Sequence, residues 1–211
     1  MQISAAKESI LKKIRQALTH STPVPFPQSD ATASVFQPSS QELEIQFAEQ
    51  FTKLQGKFVY CADVAELIGT LKQLADQKGW GKIHFRTEDA ALSQLLKDQI
   101  TPHDNLATCD ASITRCDYLI ARTGTIVLSS VEASGRTTSV YAPIHICIAT
   151  TKQLVYDIKD GLQLIRDQYN QQLPSLISFA TGPSRTADIE KTLVVGVHGP
   201  KEVYCFLLDQ G

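Results

Sequence analysis

The sequence predicts an α/β protein whose mostly parallel, twisted sheet is covered by helices on both faces. From residue 57 onward, short apolar runs of strand length alternate with longer segments in which apolar residues recur at helical spacing. Between residues 118 and 158 the apolar runs follow one another closely, which indicates a hairpin or a small antiparallel insertion. Ligands of such folds bind at the carboxyl ends of the parallel strands, so functional residues are expected directly after the apolar runs.

The chain is long enough for one domain with a full core, since it has 211 residues of which 43% are apolar. Residues 1–40 are predicted to form an N-terminal extension. It begins with an amphipathic helix, because Ile10, Ile14 and Leu18 recur at helical spacing, and it continues over 21–40 as an extended arm rich in Pro, Ser and Thr. Residues 41–211 are predicted to form a single α/β domain.

The elements of this domain follow from the apolar pattern in chain order. Asp63 and Glu66 are placed as a capping box at the start of one helix, and Thr87 is expected to cap the next. Helices are predicted over 43–54, 63–77, 87–96 and 160–172. Strands are predicted over 57–61, 82–85, 117–121, 125–130, 143–149, 176–180, 193–197 and 203–209.

Charge and hydropathy exclude two classes of partner. The chain has 20 Lys and Arg against 22 Asp and Glu with no run of like charges, so we expect no nucleic-acid partner. The longest apolar stretch, residues 143–149, is far shorter than the roughly 20 residues that span a bilayer, so no membrane span is predicted. Charged residues interrupt the first twenty positions, which argues against a secretory signal and predicts a cytoplasmic protein.

Five cysteines give no sign of a disulfide framework or a metal centre. Their number is odd, and Cys61, Cys147 and Cys205 lie inside apolar runs, where a free cysteine behaves as a small buried hydrophobe. There is no C-x-x-C pair, and the spacing of Cys109 and Cys116 matches no common zinc or iron–sulfur pattern. We therefore expect no metal and no cofactor in this chain. The dinucleotide fingerprint and the P-loop are also missing.

The segment GPSRTADIE, residues 182–190, is the most distinctive turn in the sequence. It follows an apolar run, and Gly182 with Pro183 is expected to reverse the chain into a helix capped by Ser184 or Thr186. Free N–H groups of that helix and the Arg185 guanidinium would favour an anion. A serine hydrolase is disfavoured, because Thr186 stands where the nucleophile elbow needs its second glycine. The candidate ligand-binding residues here are Gly182, Ser184, Arg185, Thr186, Asp188 and Glu190.

Three other places in the sequence carry candidate binding residues. His198 and Gly199 lie in the turn GVHGP. Packing does not explain a histidine in such a turn, so a functional role is considered. His145 lies on the second face of the strand over 143–149, which favours a buried histidine satisfied by a neighbour over a functional one. The turn Thr123–Gly124–Thr125 and the loop residue Arg136 fit a tight hairpin corner with a solvated loop as well as they fit a ligand loop. No catalytic residue is assigned.

Taken together, Thr123–Gly124–Thr125, the APIHICIA strand, GPSRTADIE and GVHGP resemble the lactate utilization domain (LUD) family, the group of LutC and YkgG proteins. The resemblance extends over most of the chain and includes the N-terminal helix and proline-rich arm. It departs from the family at Arg122, where a small or acidic residue is expected in many relatives. The resemblance implies a fold similar to the NagB/RpiA/CoA-transferase group.

The resemblance also implies a function. It points to a non-iron–sulfur component of a lactate utilization system, in which iron–sulfur partner proteins take part in oxidising L-lactate to pyruvate. An anion or carboxylate pocket is then expected at the carboxyl ends of the strands. The residues leave open a stand-alone enzyme or binding protein for a small phosphorylated metabolite or nucleotide, and a purely scaffolding module. They also leave homo-oligomerisation open.

Overall fold

The computed structural model describes residues 5–19, 38–39, 41–87, 89–132, 134–170, 172–189 and 192–210. The chain divides into two compact units, residues 1–38 and residues 39–211. In the first unit, α1 (Ala5–Leu18) is the predicted amphipathic helix, and its residues Ile10, Ile14 and Leu18 are exposed. Most of the predicted Pro/Ser-rich arm lies outside the described residues. No helix in the described part of the chain is long and apolar enough to cross a membrane.

The described part of the second unit contains helices and strands in alternation. The helices are α2 (Leu43–Lys53), α3 (Val64–Lys78), α4 (Ala90–Gln99), α5 (Thr138–Tyr141) and α6 (Ile158–Gln168). The strands are β1 (Lys57–Cys61), β2 (Ile83–Phe85), β3 (Ala111–Thr114), β4 (Tyr118–Ile120), β5 (Thr125–Ser129), β6 (Ile144–Thr150), β7 (Leu154–Val155), β8 (Ile177–Ala180), β9 (Arg185–Ile189), β10 (Thr192–Val195) and β11 (Glu202–Leu208).

A five-stranded parallel sheet in the order β1-β11-β6-β3-β2 forms the centre of the domain. Strands β2, β3, β6 and β11 are almost entirely buried, as parallel strands usually are, whereas the edge strand β1 is mostly half-buried. Successive side chains of β11 point to opposite faces: Tyr204 and Phe206 pack with α3 and α4, whereas Cys205 and Leu207 pack with α2 and the second sheet. The predicted α/β class, with a mostly parallel sheet and helices on both faces, is confirmed.

The predicted antiparallel insertion is a second sheet in the order β7-β4-β5-β8. β4 and β5 pair antiparallel and form a hairpin, and β8 adds to β5 in the same manner. One side of this sheet packs on the central sheet through Leu119 and Ile126, and its other side packs on Ile165 of α6. The central sheet is thus covered on its second face by α2 and the inserted sheet together.

Two local predictions were wrong. α4 is capped by Asp89, whose side chain accepts from the Leu92 backbone N–H at 3.0 Å, whereas Thr87 accepts from the Asp89 backbone N–H. The segment after Pro183 is strand β9 and not a helix, so neither Ser184 nor Thr186 is a helix cap. It pairs antiparallel with β10, and this pairing with a β-branched strand outweighs the local turn signal. The Asp63 cap of α3 is confirmed, since the Asp63 side chain accepts from the Glu66 N–H. The Glu66 side chain accepts from the Ala62 N–H and not, as in a capping box, from the Asp63 N–H.

Candidate functional site

The turns of the two distinctive motifs lie side by side and are joined through their backbones. The Ser184 N–H donates to the Pro200 carbonyl at 2.9 Å, and the Gly196 N–H donates to the Ser184 carbonyl at 2.8 Å. Gly199 lies so close to Ser184 that a Cβ at position 199 would be 2.9 Å from the Ser184 Cβ. The contact leaves no room for a side chain, which explains the small residue in GVHGP.

A cavity of about 290 Å³ opens beside these joined turns. We call it the amino-end cavity, because His145 and Val203 on its wall are the second residues of strands β6 and β11 of the parallel sheet. His198 is exposed. The described lining residues are Leu128, Ser139, Val140, His145, Ser178, Phe179, Ala180, Thr181, Gly182, Pro183, Ser184, His198, Gly199, Pro200 and Val203.

The expected position of this site on the parallel sheet was wrong. The turns at 181–184 and 196–199 do follow strands, but these are β8 of the inserted sheet and β10 of the hairpin. Relative to the central sheet they lie at the opposite end, where the Lys201 N–H donates to the Pro143 carbonyl just before β6 begins. The turns lie at this end because of the order of the strands. The chain forms β8, β9 and β10 outside the central sheet and then enters that sheet at the start of β11.

His145 is buried within the cavity wall, with 1% of its surface exposed. Its Nε2 atom is 2.8 Å from the Thr114 hydroxyl of the neighbouring strand β3. Burial lowers the pKa of the imidazole from 6.5 to about 4, so the ring is neutral near pH 7. The interpretation of His145 as a buried histidine satisfied by a neighbour is confirmed, and the ring presents a neutral polar group beside the cavity.

Thr123–Gly124–Thr125 forms the tight corner between β4 and β5, which confirms the hairpin alternative. Gly124 has a φ of +60°, and a side chain there would fall on the backbone of Phe51 in α2. The Thr125 hydroxyl is 2.9 Å from the Thr181 hydroxyl, beside the cavity, and 2.7 Å from that of Thr123. The corner therefore contacts α2 on one side and the cavity-lining residue Thr181 on the other.

Arg185 does not reach into the cavity, although the sequence predicted a cation that grips an anion. Its guanidinium donates to the Leu54 carbonyl at 2.6 Å, directly after α2 ends. Gly182, with a φ of +84°, lies against the same carbonyl, since a Cβ there would be 2.5 Å from the oxygen. Both residues fasten the turn to the carboxyl end of α2, where a cation is favourable.

In a comparison with known protein families, residues 45–208 match the family model described as the LUD domain. The chain belongs to the LUD domain family. The lactate utilization protein C of Anoxybacillus flavithermus is 34% identical over 193 residues, which is 84% of this chain and 86% of that protein. The protein of the same name from a Geobacillus species is 34% identical over 69% of this chain and 70% of its own length.

A solved structure of the same group shows the fold. It is the crystal structure of a DUF162 family protein from Deinococcus radiodurans, which has a TM-score of 0.58 and 19% sequence identity to this LUD domain. The match covers 79% of this chain and 96% of the other. The comparison supports the architecture described above.

Two further candidate residues of the LUD domain, Thr186 and Arg136, do not line the amino-end cavity. Thr186 stands opposite Val194 in the hairpin, and Arg136 donates to the Ser175 hydroxyl on an exposed surface. Asp188 lies in β9, and Glu190 lies outside the described residues. Arg122, the departure from the family pattern, forms an ion pair with the buried Asp157, which caps α6. The positive charge of Arg122 is therefore paired with the residue that caps the start of α6.

Sequence reasoning missed several residues that line the amino-end cavity. Thr181 immediately precedes the segment GPSRTADIE, and this position was the signal in the sequence that could have identified Thr181 as a lining residue. Ser139 and Val140 come from the short helix α5, which the sequence did not predict. They line the cavity because α5 packs against β3 and β6, a placement that only the tertiary structure shows.

The cysteines of the LUD domain are free and buried. Cys116, Cys147 and Cys205 belong to the core on the second face of the central sheet. A hydrogen bond to Cys147 and burial raise the pKa of the Cys116 thiol, and burial raises the pKa of Cys61 to about 11. These thiols are protonated at neutral pH. Among the described residues, no three His, Cys, Asp or Glu side chains are grouped so as to hold a metal ion.

Proposed function

We propose that this chain is the non-iron–sulfur component of a lactate utilization system, which oxidises L-lactate to pyruvate together with iron–sulfur partner proteins. The observation that carries the proposal is the similarity to lactate utilization protein C over 84% of this chain and 86% of that relative. In this proposal the electrons of the oxidation pass to clusters held by the partners.

The proposal places a small anion or carboxylate in the amino-end cavity. Ser139, Thr181 and Ser184 line it, and their hydroxyl groups are of the kind that donates hydrogen bonds to carboxylate oxygens. His198 lines the cavity and is exposed, and the N–H group of its imidazole can donate a hydrogen bond to a carboxylate. His145 contributes a neutral polar group, which avoids a second buried charge. A volume of about 290 Å³ leaves room for lactate or pyruvate with bound water.

Affinity purification from cells grown on L-lactate tests the partner assignment. A tagged chain is expected to recover iron–sulfur proteins in extracts of lactate-grown cells, and the matched control is the same strain grown on a carbon source that bypasses lactate. Deletion of the gene is expected to abolish growth on lactate. A chain that always purifies alone, together with normal growth of the deletion strain on lactate, would contradict the proposal.

A thermal-shift series tests the ligand of the amino-end cavity. L-lactate, pyruvate, inorganic phosphate and nucleotides are compared; a ligand at one hundred times its Kd should stabilise the fold by roughly 2.7 kcal/mol. His198→Gln should weaken the response to a carboxylate, whereas Arg185→Gln, in the neighbouring GPSRTADIE motif but outside the cavity, should retain it. A response to phosphate or nucleotides without one to carboxylates would favour the alternative, a binding protein or enzyme for a phosphorylated metabolite.

A further inference from the structure

A second cavity, of about 300 Å³, lies at the opposite end of the central sheet from the joined turns. We call it the carboxyl-end cavity, because Ile148 and Thr150 near the end of β6 and Leu208 at the end of β11 line it. This is the end of a parallel sheet at which α/β proteins bind small molecules. None of the residues of the two distinctive motifs takes part in it.

The walls of the carboxyl-end cavity are mainly apolar. Leu67 of α3 and Leu92 and Leu95 of α4 face the ends of the strands, and they leave a space between the two helices. Val64 at the start of α3 lies on the rim with 43% of its surface exposed, so the space opens to solvent. Apolar walls of this kind bury the hydrocarbon part of a ligand, and a few polar groups then fix its orientation.

The polar groups of the cavity are concentrated around Arg115, which follows β3. Its guanidinium forms an ion pair with Asp89, and the Arg115 side chain is 28% exposed. Both carboxylate oxygens of Asp89 are engaged, one by Arg115 and the other by the Leu92 N–H at the start of α4. A guanidinium carries five N–H donors, of which the ion pair uses those of one nitrogen.

We propose that the carboxyl-end cavity binds a small monocarboxylate with an apolar body. The hydrocarbon part lies between α3 and α4, and the carboxylate accepts hydrogen bonds from Arg115. A cationic ligand is disfavoured, because both oxygens of the nearby acid Asp89 are already occupied, whereas a guanidinium suits a second carboxylate. This site is distinct from the amino-end cavity, and it does not rest on the proposed role in lactate utilization.

The volume of the cavity limits the size of this ligand. About 300 Å³ corresponds to roughly ten non-hydrogen atoms, if each takes about the 30 Å³ of one water molecule in the liquid. Hexanoate has a size within this limit. Lactate is smaller and carries a hydroxyl at the carbon next to its carboxylate, so the apolar walls would bury little of it. The cavity therefore favours a carboxylate with a longer hydrocarbon part over lactate.

Titration of the isotope-labelled protein with hexanoate, followed by NMR, tests the proposal. Saturable shifts are expected for the amides around Leu92, Thr150 and Leu208. Hexanol, which has the same hydrocarbon part without the charge, and acetate, which lacks that part, should each bind at least tenfold more weakly. Equal affinity for hexanoate and hexanol would overturn the assignment of a carboxylate, and shifts that are absent or do not saturate would overturn the site.

Two matched pairs of variants locate the ligand. Ala91→Trp fills the mouth of the cavity from the exposed face of α4 and should abolish hexanoate binding, whereas Gln94→Trp, exposed on the same helix outside the cavity, should leave it unchanged. Arg115→Gln should weaken hexanoate at least tenfold and leave hexanol unchanged, whereas Arg115→Lys should restore part of the affinity. Wild-type affinity in Ala91→Trp would overturn the proposal, even if Arg115→Gln fails to fold.

Discussion

The two ends of the central sheet hold cavities of similar size but different construction. The amino-end cavity is built by turns whose backbones are joined to each other and to α2, through contacts at Ser184, Gly182 and Gly124. The carboxyl-end cavity is an open space between α3 and α4, with mainly apolar walls and one ion pair at Arg115. The residues of the family motifs therefore serve largely to fix the turns at the amino end of the sheet, which we call the rigid end.

Truncation of Phe51 should have the largest effect on this rigid end. Phe51 is fully buried in α2, stacks on Phe47 and lies against Gly124. Phe51→Ala should lower the free energy of unfolding by about 3–5 kcal/mol, because it removes a large buried side chain and leaves a cavity. Leu95→Ala, on the half-buried wall of the other cavity, should lower it by only about 1–2 kcal/mol. Urea unfolding measures the free energy of unfolding of both variants. Equal losses in the two variants would contradict the proposed difference between the two ends of the sheet.

The pH dependence of stability should report on His145. Its pKa is lowered to about 4 in the folded protein by burial, so between about pH 6.5 and pH 4 the unfolded chain binds the additional proton. This contribution is fully present above pH 6.5 and is lost as the pH falls, by about 3 kcal/mol in total. Urea unfolding at several pH values should show it in the wild type and in His198→Gln but not in His145→Gln. The same pH slope in all three proteins would place the titrating group elsewhere.

A pair of glycine substitutions should change the free energy of unfolding in opposite directions at the rigid end and on an open helix surface. Gly124→Ala should lower the free energy of unfolding by more than about 1 kcal/mol, because φ is +60° and the new methyl group would meet the backbone of Phe51. Gly69→Ala should raise it by roughly 0.5–1 kcal/mol, because position 69 lies inside α3 with open space around it. Thermal unfolding checks the two signs. A stable Gly124→Ala protein would mean that the corner is not held against α2.

The smallest effect is expected at Arg185. Arg185→Gln removes the hydrogen bond to the Leu54 carbonyl, but the side chain is exposed, so the loss should be at most about 1 kcal/mol. Carboxylate binding in the amino-end cavity should not change. If Arg185→Gln abolished ligand binding at unchanged stability, as measured by a thermal-shift titration, Arg185 would be a ligand-binding residue and not a fastening for α2.

Alternating patterns made much of the fold predictable. β6 and β11 carry apolar residues on both faces, and His145 was placed on the correct face of β6 by the same period of two. The strand after Pro183 was not predictable, because β9 follows a glycine–proline turn and gains its stability from pairing with β10. The turns GPSRTADIE and GVHGP did point to Gly182, Ser184, His198 and Gly199, which line one cavity.

The position of the sites was harder to predict than their residues. Which end of the parallel sheet the motifs occupy depends on where the chain crosses, and the sequence carries no local signal for the β8 to β10 excursion. The carboxyl-end cavity is lined from segments far apart in the chain, from Val64 to Gln210, and none of them stands out as a motif. Both features arise from tertiary packing.

Complementation of a deletion strain on L-lactate tests the central claim most directly. The wild-type gene and Ala91→Trp, which alters only the carboxyl-end cavity, are expected to restore growth. His198→Gln is expected to fail, although immunoblots show normal protein levels, because the amino-end cavity then lacks its exposed imidazole. Full growth with His198→Gln, or normal growth of the deletion strain itself, would contradict the assignment of the amino-end cavity as the working site of a lactate utilization component.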